Sequence, residues 1–330
     1  MTLRIGINGF GRIGRLLARL LASQPGISLS HINDPALDPA QAAHLLYFDS
    51  VHGRWAGSAS ATDTGLVLNG RHTSFSRERD IASAWRERAE VVVDCSGRLR
   101  QASDLAPYWE AGIRRVLVSA PVEGIPNIVV GVNDHGVEME AAALCAASCT
   151  TNCLATTAHV LHEEFNITSG FITTIHGLTN DQALMDQAHE DWRRGRAGGS
   201  SLIPTTSGFA KAIGRVLPTL EGRLDGFAIR APIANASLID ASFVLGRPAT
   251  ATAVNDALRL AAAGPLCGIL AVEDRPLVSA DFRGDSHSAV IDSALTRVMN
   301  QHLLKVVAWY DNETGYSNRL ATLAQRLVNH

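Results

Sequence analysis

The sequence predicts an α/β protein, in which a doubly wound parallel sheet precedes an α+β domain with a mostly antiparallel sheet. Two short apolar strands, Leu3–Asn8 and Ile27–Asn33, flank a stretch with helical apolar spacing. The run VVVDC at 91–95 is continuously apolar, which is typical of a strand buried on both faces of a parallel sheet. After Ile167 the strands alternate between apolar and polar residues, which favours antiparallel sheet with one covered face.

Length and composition indicate an ordinary globular protein of two domains. The chain has 330 residues, of which 46% are hydrophobic and 18% are charged. The net charge of −3 gives no electrostatic case for nucleic acid or an anionic membrane, and no apolar run is long enough to span a bilayer. The predicted domains are 1–148 and 149–316, with a C-terminal helix, 317–330, that returns to the first domain.

The cysteines and the first residues predict a cytoplasmic protein without a metal site. The five cysteines are odd in number and lack a metal-ligand spacing, which favours reduced thiols. The opening MTLRIGING enters a strand directly and lacks the regions of a signal peptide.

A glycine motif, GFGRIG at 9–14, lies between the first strand and the first helix, and Asp34 ends the next strand. This β-turn-α-β arrangement is the Rossmann-type signature of a dinucleotide site. Gly9 allows a tight turn, Gly11 lets the backbone approach a pyrophosphate, and Gly14 lets the helix pack on the strand. The phosphates would lie at the helix N-terminus.

The other predicted elements complete the two domains. In the first domain they are helices at 38–48 and 105–111, a hairpin at 59–75, and strands at 116–119 and 128–131. In the second they are strands at 167–174, 225–230, 237–245, 290–292 and 303–310, with helices at 207–216, 254–263 and 317–328. The long polar segment 177–201 is predicted to be a functional or partner-contacting loop.

The hexapeptide SCTTNC at 148–153 opens a helix predicted from Leu154 to Phe165. The unpaired N–H groups and the dipole at a helix start stabilise a thiolate, so Cys149 is a candidate nucleophile, and Ser148 can cap the helix. A buried structural cysteine is the alternative. His176, which ends a strand, is a candidate base, although a core histidine would look the same and chain position alone cannot join it to Cys149.

The chain resembles the phosphorylating glyceraldehyde-3-phosphate dehydrogenases over essentially its whole length. The shared motifs are INGFGRIGR (7–15), IND (32–34), FDSVHGRW (48–55), SAP (119–121), ASCTTNCLA (147–155), TTIHGLTNDQ (173–182), DWRRGR (191–196), IPTTSG (203–208), TLEGRLDG (219–226) and WYDNETGYSNR (309–319). They occur in the order and spacing of the family.

The resemblance implies a covalent mechanism. The Cys149 thiolate would attack an aldehyde carbon to give a thiohemiacetal, and His176 would act as base and as ion-pair partner of the thiolate. Hydride would pass to the nicotinamide, and inorganic phosphate would release the resulting thioester as an acyl phosphate.

The resemblance also implies two anion sites. Thr179, Asp181 and Arg230 match the site for the substrate's own phosphate, with Asp181 expected to orient Arg230 or the ribose region and not to contact phosphate. The attacking phosphate would bind at Ser148, Thr150, Arg194, Ser207 and Gly208, since hydroxyl and backbone donors with an arginine suit a tetrahedral oxyanion.

The cofactor residues also carry over from the family. Asn312 would bind the nicotinamide carboxamide and so fix which face receives hydride, and Tyr316 would lie near the ring. The remaining cofactor residues are Gly9, Phe10, Gly11, Arg12, Ile13, Gly14, Asp34, Ser96 and Ser119.

Some positions depart from the family pattern. Thr314 replaces a tryptophan, and Pro35 with Ala146-Ala147 resembles the paralogues found with arsenate-efflux systems. The run PLVSADF…HSAVID (276–292) resembles erythrose-4-phosphate dehydrogenases. Asp34 would repel a 2′-phosphate and favours NAD, whereas Ala188 leaves NADP open.

The expected function is therefore NAD-dependent oxidative phosphorylation of D-glyceraldehyde 3-phosphate to 1,3-bisphosphoglycerate by a homotetramer. The alternatives are an arsenate-using paralogue that forms 1-arseno-3-phosphoglycerate and an erythrose-4-phosphate dehydrogenase. A catalytically decayed binding protein is the alternative outside the enzymes.

Overall fold

The computed structural model describes residues 2–135 and 140–327. Internal contacts divide the chain into two units. The first runs to Ile128, continues with Asp134–Ser148 and ends with the chain from Ser317 onward; the second comprises Val129–Asn133 and Cys149–Tyr316. No helix within the described ranges has the length and apolar character that crossing a membrane requires.

The first unit is built on an eight-stranded sheet with the order β3-β4-β5-β2-β1-β6-β7-β8. The strands are β1 (Leu3–Asn8), β2 (Ile27–Asn33), β3 (Ala59–Thr62), β4 (Gly65–Leu68), β5 (Arg71–Ser76), β6 (Val91–Asp94), β7 (Arg115–Val118) and β8 (Ala143–Cys145). In this sheet order, each strand from β5 through β2, β1, β6 and β7 to β8 pairs in parallel with the next. Strands β3 and β4 extend the sheet beyond β5 by antiparallel pairing. Because β2 and β6 flank β1 on opposite sides, the strand order reverses at β1, where such sheets bind ligands.

The helices of the first unit follow the apolar spacing of the sequence. They are α1 (Arg12–Leu21), α2 (Pro39–Tyr47), α3 (Ile81–Trp85) and α4 (Ala106–Glu110), with a 3-10 turn at Ala102–Leu105. Helix α2 begins with a capping box, in which Asp38 accepts from the Gln41 N–H and Gln41 accepts from the Asp38 N–H.

A chain of buried hydrogen bonds joins the carboxyl ends of β2, β1 and β6. Asn33 Nδ2 donates to Asn8 Oδ1 at 2.9 Å, and Asn8 Nδ2 donates to Asp94 Oδ2 at 2.8 Å. The Tyr108 hydroxyl donates to the same Asp94 oxygen at 2.6 Å. These bonds satisfy polar groups that would otherwise be costly to bury, and they fix the strand ends from which the loops of the sheet edge begin.

The second unit contains a sheet with the order β10-β11-β9-β12-β16-β14-β13, and β15 pairs with β16. Its strands are β9 (Ile167–His176), β10 (Ile203–Thr205), β11 (Leu224–Arg230), β12 (Ser237–Leu245), β13 (Leu270–Glu273), β14 (Ala289–Asp292), β15 (Arg297–Met299) and β16 (Leu303–Tyr310). Only the β11–β9 and β13–β14 pairs are parallel among these pairings. A mostly antiparallel sheet was predicted for this half of the chain.

The helices that begin in the second unit are α5 (Cys149–Phe165), α6 (Phe209–Val216), α7 (Ala251–Ala263) and α8 (Thr314–Arg326). Helix α5 lies against β9, β12 and β16, and twelve of its side chains are buried. Short 3-10 turns occur at Gly198–Ser200, Pro218–Leu220, Ser279–Phe282 and Ser293–Leu295. Residues 328–330 of the predicted returning helix lie outside the described residues.

The strand register aligns four residues at one end of this sheet. Arg230 on β11 pairs with His176 on β9, and Ser237 on β12 pairs with Tyr310 on β16. Leu238 pairs with Ile175, so continuing that register by one residue places Ser237 beside His176. Arg230, His176, Ser237 and Tyr310 therefore form one row across four strands.

Three sequence predictions differ from the structure. Residues 128–131 are not a strand: Asn127 makes a single bridge to Cys145, and the Val129 N–H donates to Asn133 Oδ1 in the following turn. Helix α5 begins at Cys149 and not at Leu154. The predicted start was too late because the polar first turn carries no apolar periodicity. The predicted hairpin is three strands, with Asn69 and Gly70 at φ of 49° and 77° in the second turn.

Gly226 provides a test of the close β11–β9 pairing. A Cβ at Gly226 would lie 1.9 Å from the carbonyl oxygen of Ile172, whereas a Cβ at Gly199 would meet no atom within 4 Å. We expect Gly226→Ala to destabilise the second unit by about 3 kcal/mol through overpacking and to lower the thermal midpoint. Gly199→Ala is the control and should unfold like the wild type in differential scanning calorimetry. Equal midpoints for the two variants would contradict the register.

Candidate active site

The glycine loop of the first unit has two positions closed to a side chain and one that is open. Gly9 has φ of +90°, and a Cβ there would lie 2.7 Å from the backbone of Cys95 and Ser96. A Cβ at Gly14 would lie 2.1 Å from the Gly9 carbonyl oxygen, whereas one at Gly11 would meet nothing within 4 Å. The fold itself therefore requires Gly9 and Gly14, and the surface above Gly11 is open to a ligand.

Asp34 lies at the end of β2 beside this loop. Its Oδ2 accepts from the Phe10 N–H at 2.7 Å, and its Oδ1 accepts from the Ala36 N–H at 2.9 Å. Helix α1 starts after Gly11 without a side-chain cap, which leaves N–H donors at its start for an anion. The open cradle and the placed carboxylate fit the pyrophosphate and a ribose of a dinucleotide.

The other predicted cofactor residues of this unit lie on the first turn of α1 or after β6 and β7. The Arg12 side chain pairs with Asp49, and Ile13 is half-buried on the same turn. Ser96 donates from both N and Oγ to Asp94 Oδ1, at 3.0 and 2.7 Å. The Ser119 N–H donates to the Asp94 carbonyl at 2.8 Å, so both serines are fixed near the carboxyl end of β6.

In the second unit, Cys149 is the first residue of α5, and its Sγ lies 3.5 Å from His176 Nε2. Hydrogen bonding from the side chain and the backbone of Thr150 acts to lower the pKa of this thiol. Ala147, two residues before, has a φ of 53°, a conformation that is costly for a residue with a Cβ and that recurs at functional sites. Ser148, between them, is half-buried.

His176 ends β9 and is 5% exposed. Its Nδ1 lies 2.7 Å from the carbonyl oxygen of Gly177. When Nδ1–H donates to that carbonyl, Nε2 carries the lone pair that faces the sulfur, which is the tautomer a base requires. Arg230 Nη1, which can only donate, lies 2.5 Å from the same Nδ1, so Arg230 and the Gly177 carbonyl compete for that nitrogen, and the guanidinium places a fixed positive charge behind the ring.

The electrostatics favour a neutral Cys149–His176 pair in the resting site. Burial raises the pKa of the Cys149 thiol, and Arg230 and the Thr150 donors act in the opposite direction. Burial, with Arg230 as the second cause, lowers the pKa of His176 to about 4. Burial disfavours both charged forms and so acts against the ion pair that the sequence predicts, while a neutral imidazole can accept the thiol proton.

Tyr310, which the sequence reasoning did not single out, supports both members of this pair. Its buried hydroxyl lies 2.9 Å from Thr150 Oγ1 and 2.8 Å from Thr174 Oγ1, and its ring meets His176 edge-on at 6.0 Å. Burial raises the pKa of Tyr310, so the hydroxyl stays protonated. Its position at a strand end, two residues before Asn312, was the one available signal.

Arg194, one of the predicted anion residues, is held by the segment that precedes α6. Its Nε donates to Thr205 Oγ1 at 2.7 Å, and its Nη2 donates to the Thr206 carbonyl at 3.4 Å. Arg194 therefore holds the segment that leads directly into Ser207 and Gly208. A Cβ at Gly208, the N-cap of α6, would meet nothing within 4 Å, so the backbone is open to a ligand there.

Asp181 and Thr179 lie beside the same arginine. The Thr179 hydroxyl donates to the Asp181 carboxylate, and Asp181 Oδ2 lies 3.7 Å from Arg194 Nη1. Burial raises the pKa of Asp181, but the Thr179 hydroxyl and Arg230 outweigh it, so the pKa lies below its usual value. The carboxylate thus contacts Thr179 and Arg194, and it also interacts electrostatically with Arg230, the residue that the sequence prediction expected it to orient.

Asn312 and Tyr316 flank the start of α8, and both are buried, with 6% and 5% exposure. Asp311 anchors this segment. Its Oδ1 accepts from the N–H groups of Glu313 and Thr314, both at 2.8 Å. The backbone around Asn312 is therefore fixed by a carboxylate that sequence reasoning did not single out.

Comparisons with known proteins match both units of the chain to one family. The family model described as "Glyceraldehyde 3-phosphate dehydrogenase, NAD binding domain" matches residues 3–102, and the one described as "Glyceraldehyde 3-phosphate dehydrogenase, C-terminal domain" matches residues 148–312. The chain is 46% identical to glyceraldehyde-3-phosphate dehydrogenase 3 of Nostoc sp., over 99% of each chain. It is also 46% identical to glyceraldehyde-3-phosphate dehydrogenase of Geobacillus stearothermophilus, over 100% of this chain and 99% of that protein. It is 44% identical to glyceraldehyde-3-phosphate dehydrogenase 1 of Bacillus subtilis, over 98% of each. This chain belongs to the glyceraldehyde-3-phosphate dehydrogenase family.

Proposed function

We propose that the chain catalyses the NAD-dependent oxidative phosphorylation of D-glyceraldehyde 3-phosphate to 1,3-bisphosphoglycerate. The observation that carries the proposal is the 3.5 Å approach of Cys149 Sγ and His176 Nε2 at the start of a helix, in a chain of this family. The glycine loop and Asp34 of the first unit would bind NAD together with Asn312 and Tyr316 of the second unit, and Cys149 and His176 of the second unit would carry the chemistry. The five cysteines, which are free thiols, accord with a reducing compartment, and we propose the cytoplasm.

The first step is covalent. His176 Nε2 takes the thiol proton as Cys149 Sγ attacks the aldehyde carbon, so that a C–S bond forms and the carbonyl π electrons move to oxygen. The His176 imidazolium then returns the proton to that oxygen, which gives the thiohemiacetal hydroxyl and leaves His176 neutral again. The buried imidazole is neutral at pH 7, so it can take this proton without first losing one. The Thr150 donors and the charge of Arg230 stabilise negative charge on the sulfur during the attack.

The second stage oxidises the thiohemiacetal. Bound NAD supplies the hydride acceptor. His176 removes the hydroxyl proton as the C–H bond breaks, and a thioester remains on Cys149. An oxygen of inorganic phosphate then attacks the thioester carbon, the C–S bond breaks, and the sulfur leaves as thiolate. The balance is aldehyde, NAD and phosphate to acyl phosphate, reduced NAD and a proton.

Two anions must be held near the sulfur, and arginine is suited to both. We assign the substrate phosphate to Arg230 and Thr179, with Asp181 orienting Thr179 and Arg194 through the contacts described above. We assign the attacking phosphate to Arg194, Ser207 and Gly208, with Ser148 and Thr150 at the start of α5. The hydrogen bonds of Arg194 to Thr205 and Thr206 support this assignment.

We further propose that the protein is a homotetramer. Several apolar side chains of the second unit's sheet are exposed, with Phe171 at 71% exposure and Met299 at 63%. The loop between β9 and β10 adds Leu184, Met185 and Trp192, each at least 78% exposed. Exposed apolar side chains of this size favour a protein interface, and a second copy of this chain is the occupant that the family suggests.

The proposed chemistry is tested by removing the nucleophile. We expect Cys149→Ser to lower aldehyde oxidation about a thousandfold or more, because a hydroxyl is a far weaker nucleophile, while NAD still binds in calorimetry. Cys267→Ser, which changes an exposed thiol, is the control and should retain activity. Turnover near the wild-type rate in Cys149→Ser would refute the role of Cys149.

Initial rates of the wild type identify the substrates. With NAD and phosphate, kcat/KM should be higher for glyceraldehyde 3-phosphate than for erythrose 4-phosphate. It should also be higher with phosphate than with arsenate, and with NAD than with NADP. The reverse order for the aldehydes or for the oxyanions would favour the corresponding alternative enzyme.

The neutral pair predicts a distinctive pH dependence of Cys149 alkylation by iodoacetamide. Between the pKa of His176, about 4, and the raised pKa of the thiol, proton transfer within the pair is independent of pH, so the rate should form a plateau. The rate should fall as His176 protonates near pH 4. In His176→Asn the plateau should disappear, and the rate should rise about tenfold per pH unit. An unchanged plateau in that variant would show that His176 is not the base.

The proposed tetramer is tested by a charged substitution at Phe171, which is 71% exposed on β9. A glutamate there would bury an unpaired carboxylate in the interface, so light scattering should show smaller species than the wild type. Phe171→Glu is the variant, and Leu260→Glu, at a 76% exposed position on α7, is the control. A wild-type mass of one 35 kDa chain would overturn the proposal.

A further inference from the structure

Ser237 connects the segment of the proposed base to the residue proposed for the nicotinamide carboxamide. It is the first residue of β12 and is 1% exposed. The Gly177 N–H donates to its Oγ at 3.0 Å, and its Oγ–H donates to Asn312 Oδ1 at 2.9 Å. The Gly177 carbonyl oxygen lies 2.7 Å from His176 Nδ1. One buried hydroxyl therefore lies between the two residues that the proposed reaction must position.

The two hydrogen bonds of the Ser237 hydroxyl determine the orientation of the Asn312 amide. Ser237 Oγ accepts from Gly177 and donates its single proton to Asn312, and of the two amide atoms only Oδ1 can accept a proton. The NH2 end of Asn312 is then directed away from Ser237. An inverted amide would face its own N–H toward Ser237 and present an acceptor to the ligand in place of a donor.

The main chain of Asn312 is held independently of Ser237. Asp311 Oδ2 accepts from Asn235 Nδ2 at 2.9 Å and from the Gly284 N–H at 2.7 Å. With its Oδ1 on the two N–H groups that follow Asn312, this carboxylate joins three segments of the second unit. Loss of the Ser237 hydroxyl would therefore release the amide of Asn312 and leave its backbone in place.

We propose that Ser237 is a positioning residue that directs the Asn312 NH2 group toward the carbonyl of the nicotinamide carboxamide and thereby selects the ring face that receives hydride. This rests on the proposed function, in which Asn312 binds the carboxamide. Without the Ser237 hydroxyl the amide can invert and accept from the carboxamide NH2, which favours the opposite orientation of the ring.

The test compares two ligands that differ in the nicotinamide. Calorimetry gives the Kd of NAD and of ADP-ribose, which lacks the ring, for the wild type, Ser237→Ala and Ser288→Ala. Ser288 is a matched control, since its hydroxyl is equally buried and has no hydrogen-bond partner among the described residues. In Ser237→Ala the binding of NAD should weaken about tenfold while that of ADP-ribose is unchanged. Ser288→Ala should match the wild type for both ligands.

Two further measurements distinguish positioning from general damage. Deuterium from a labelled aldehyde should enter both faces of the nicotinamide in Ser237→Ala and one face in the wild type and Ser288→Ala. Because Ser237 acts through Asn312, the double variant Ser237→Ala/Asn312→Ala should bind NAD as weakly as Asn312→Ala alone. If Ser237→Ala does not fold, Ser237→Thr and Ser237→Cys give the same contrast, since threonine keeps a strong donor and cysteine does not.

The outcomes separate this inference from the function on which it rests. Equal weakening of NAD and ADP-ribose, additive effects in the double variant, or unchanged selection of the ring face would overturn the role of Ser237 while the dehydrogenase activity stands. A wild-type protein that neither distinguishes NAD from ADP-ribose nor transfers hydride would overturn the proposed function itself.

Discussion

The register of four strands in the second unit determines the candidate active site. It aligns Arg230, His176, Ser237 and Tyr310 in one row. Because side chains alternate between the two faces of a strand, a shift of one residue would move a member of this row to the opposite face. Helix α5 begins at Cys149, and this start places Cys149 Sγ 3.5 Å from His176 Nε2.

Arg230 affects the charge of both members of the proposed catalytic pair. Its guanidinium lowers the pKa of the Cys149 thiol and also the pKa of His176. A positive charge thus favours thiolate but disfavours imidazolium, and burial disfavours both charged forms. Burial therefore acts against charge in the resting pair, and negative charge develops on the sulfur during the attack, where Arg230 and hydrogen bonding from Thr150 favour it. Donors placed in advance reduce the reorganisation that the reaction requires.

Much of the fold follows from local patterns, and less of the site does. The bounds of β1, β2, β12 and β16 were predicted to the residue, because each strand is a clear apolar or alternating run between polar ends. The strand predicted at 128–131 was wrong, because an apolar run that short is equally compatible with a buried turn. Ser237, Tyr310 and Asp311 went unpredicted as site residues, because their importance depends on strand register, which the sequence does not specify. Cys149 and His176 were selected by motif, and their separation of 3.5 Å is information that only the structure supplies.

The division of the chain into units has a consequence for its synthesis. The first unit includes the chain from Ser317 onward, and Leu320 and Leu323 of α8 are fully buried. A ribosome makes these residues after the whole of the second unit. The nascent first unit therefore remains without helix α8 until the second unit has been synthesised, although domains commonly fold in order from the N-terminus. During that interval the first unit lacks the buried contacts of Leu320 and Leu323.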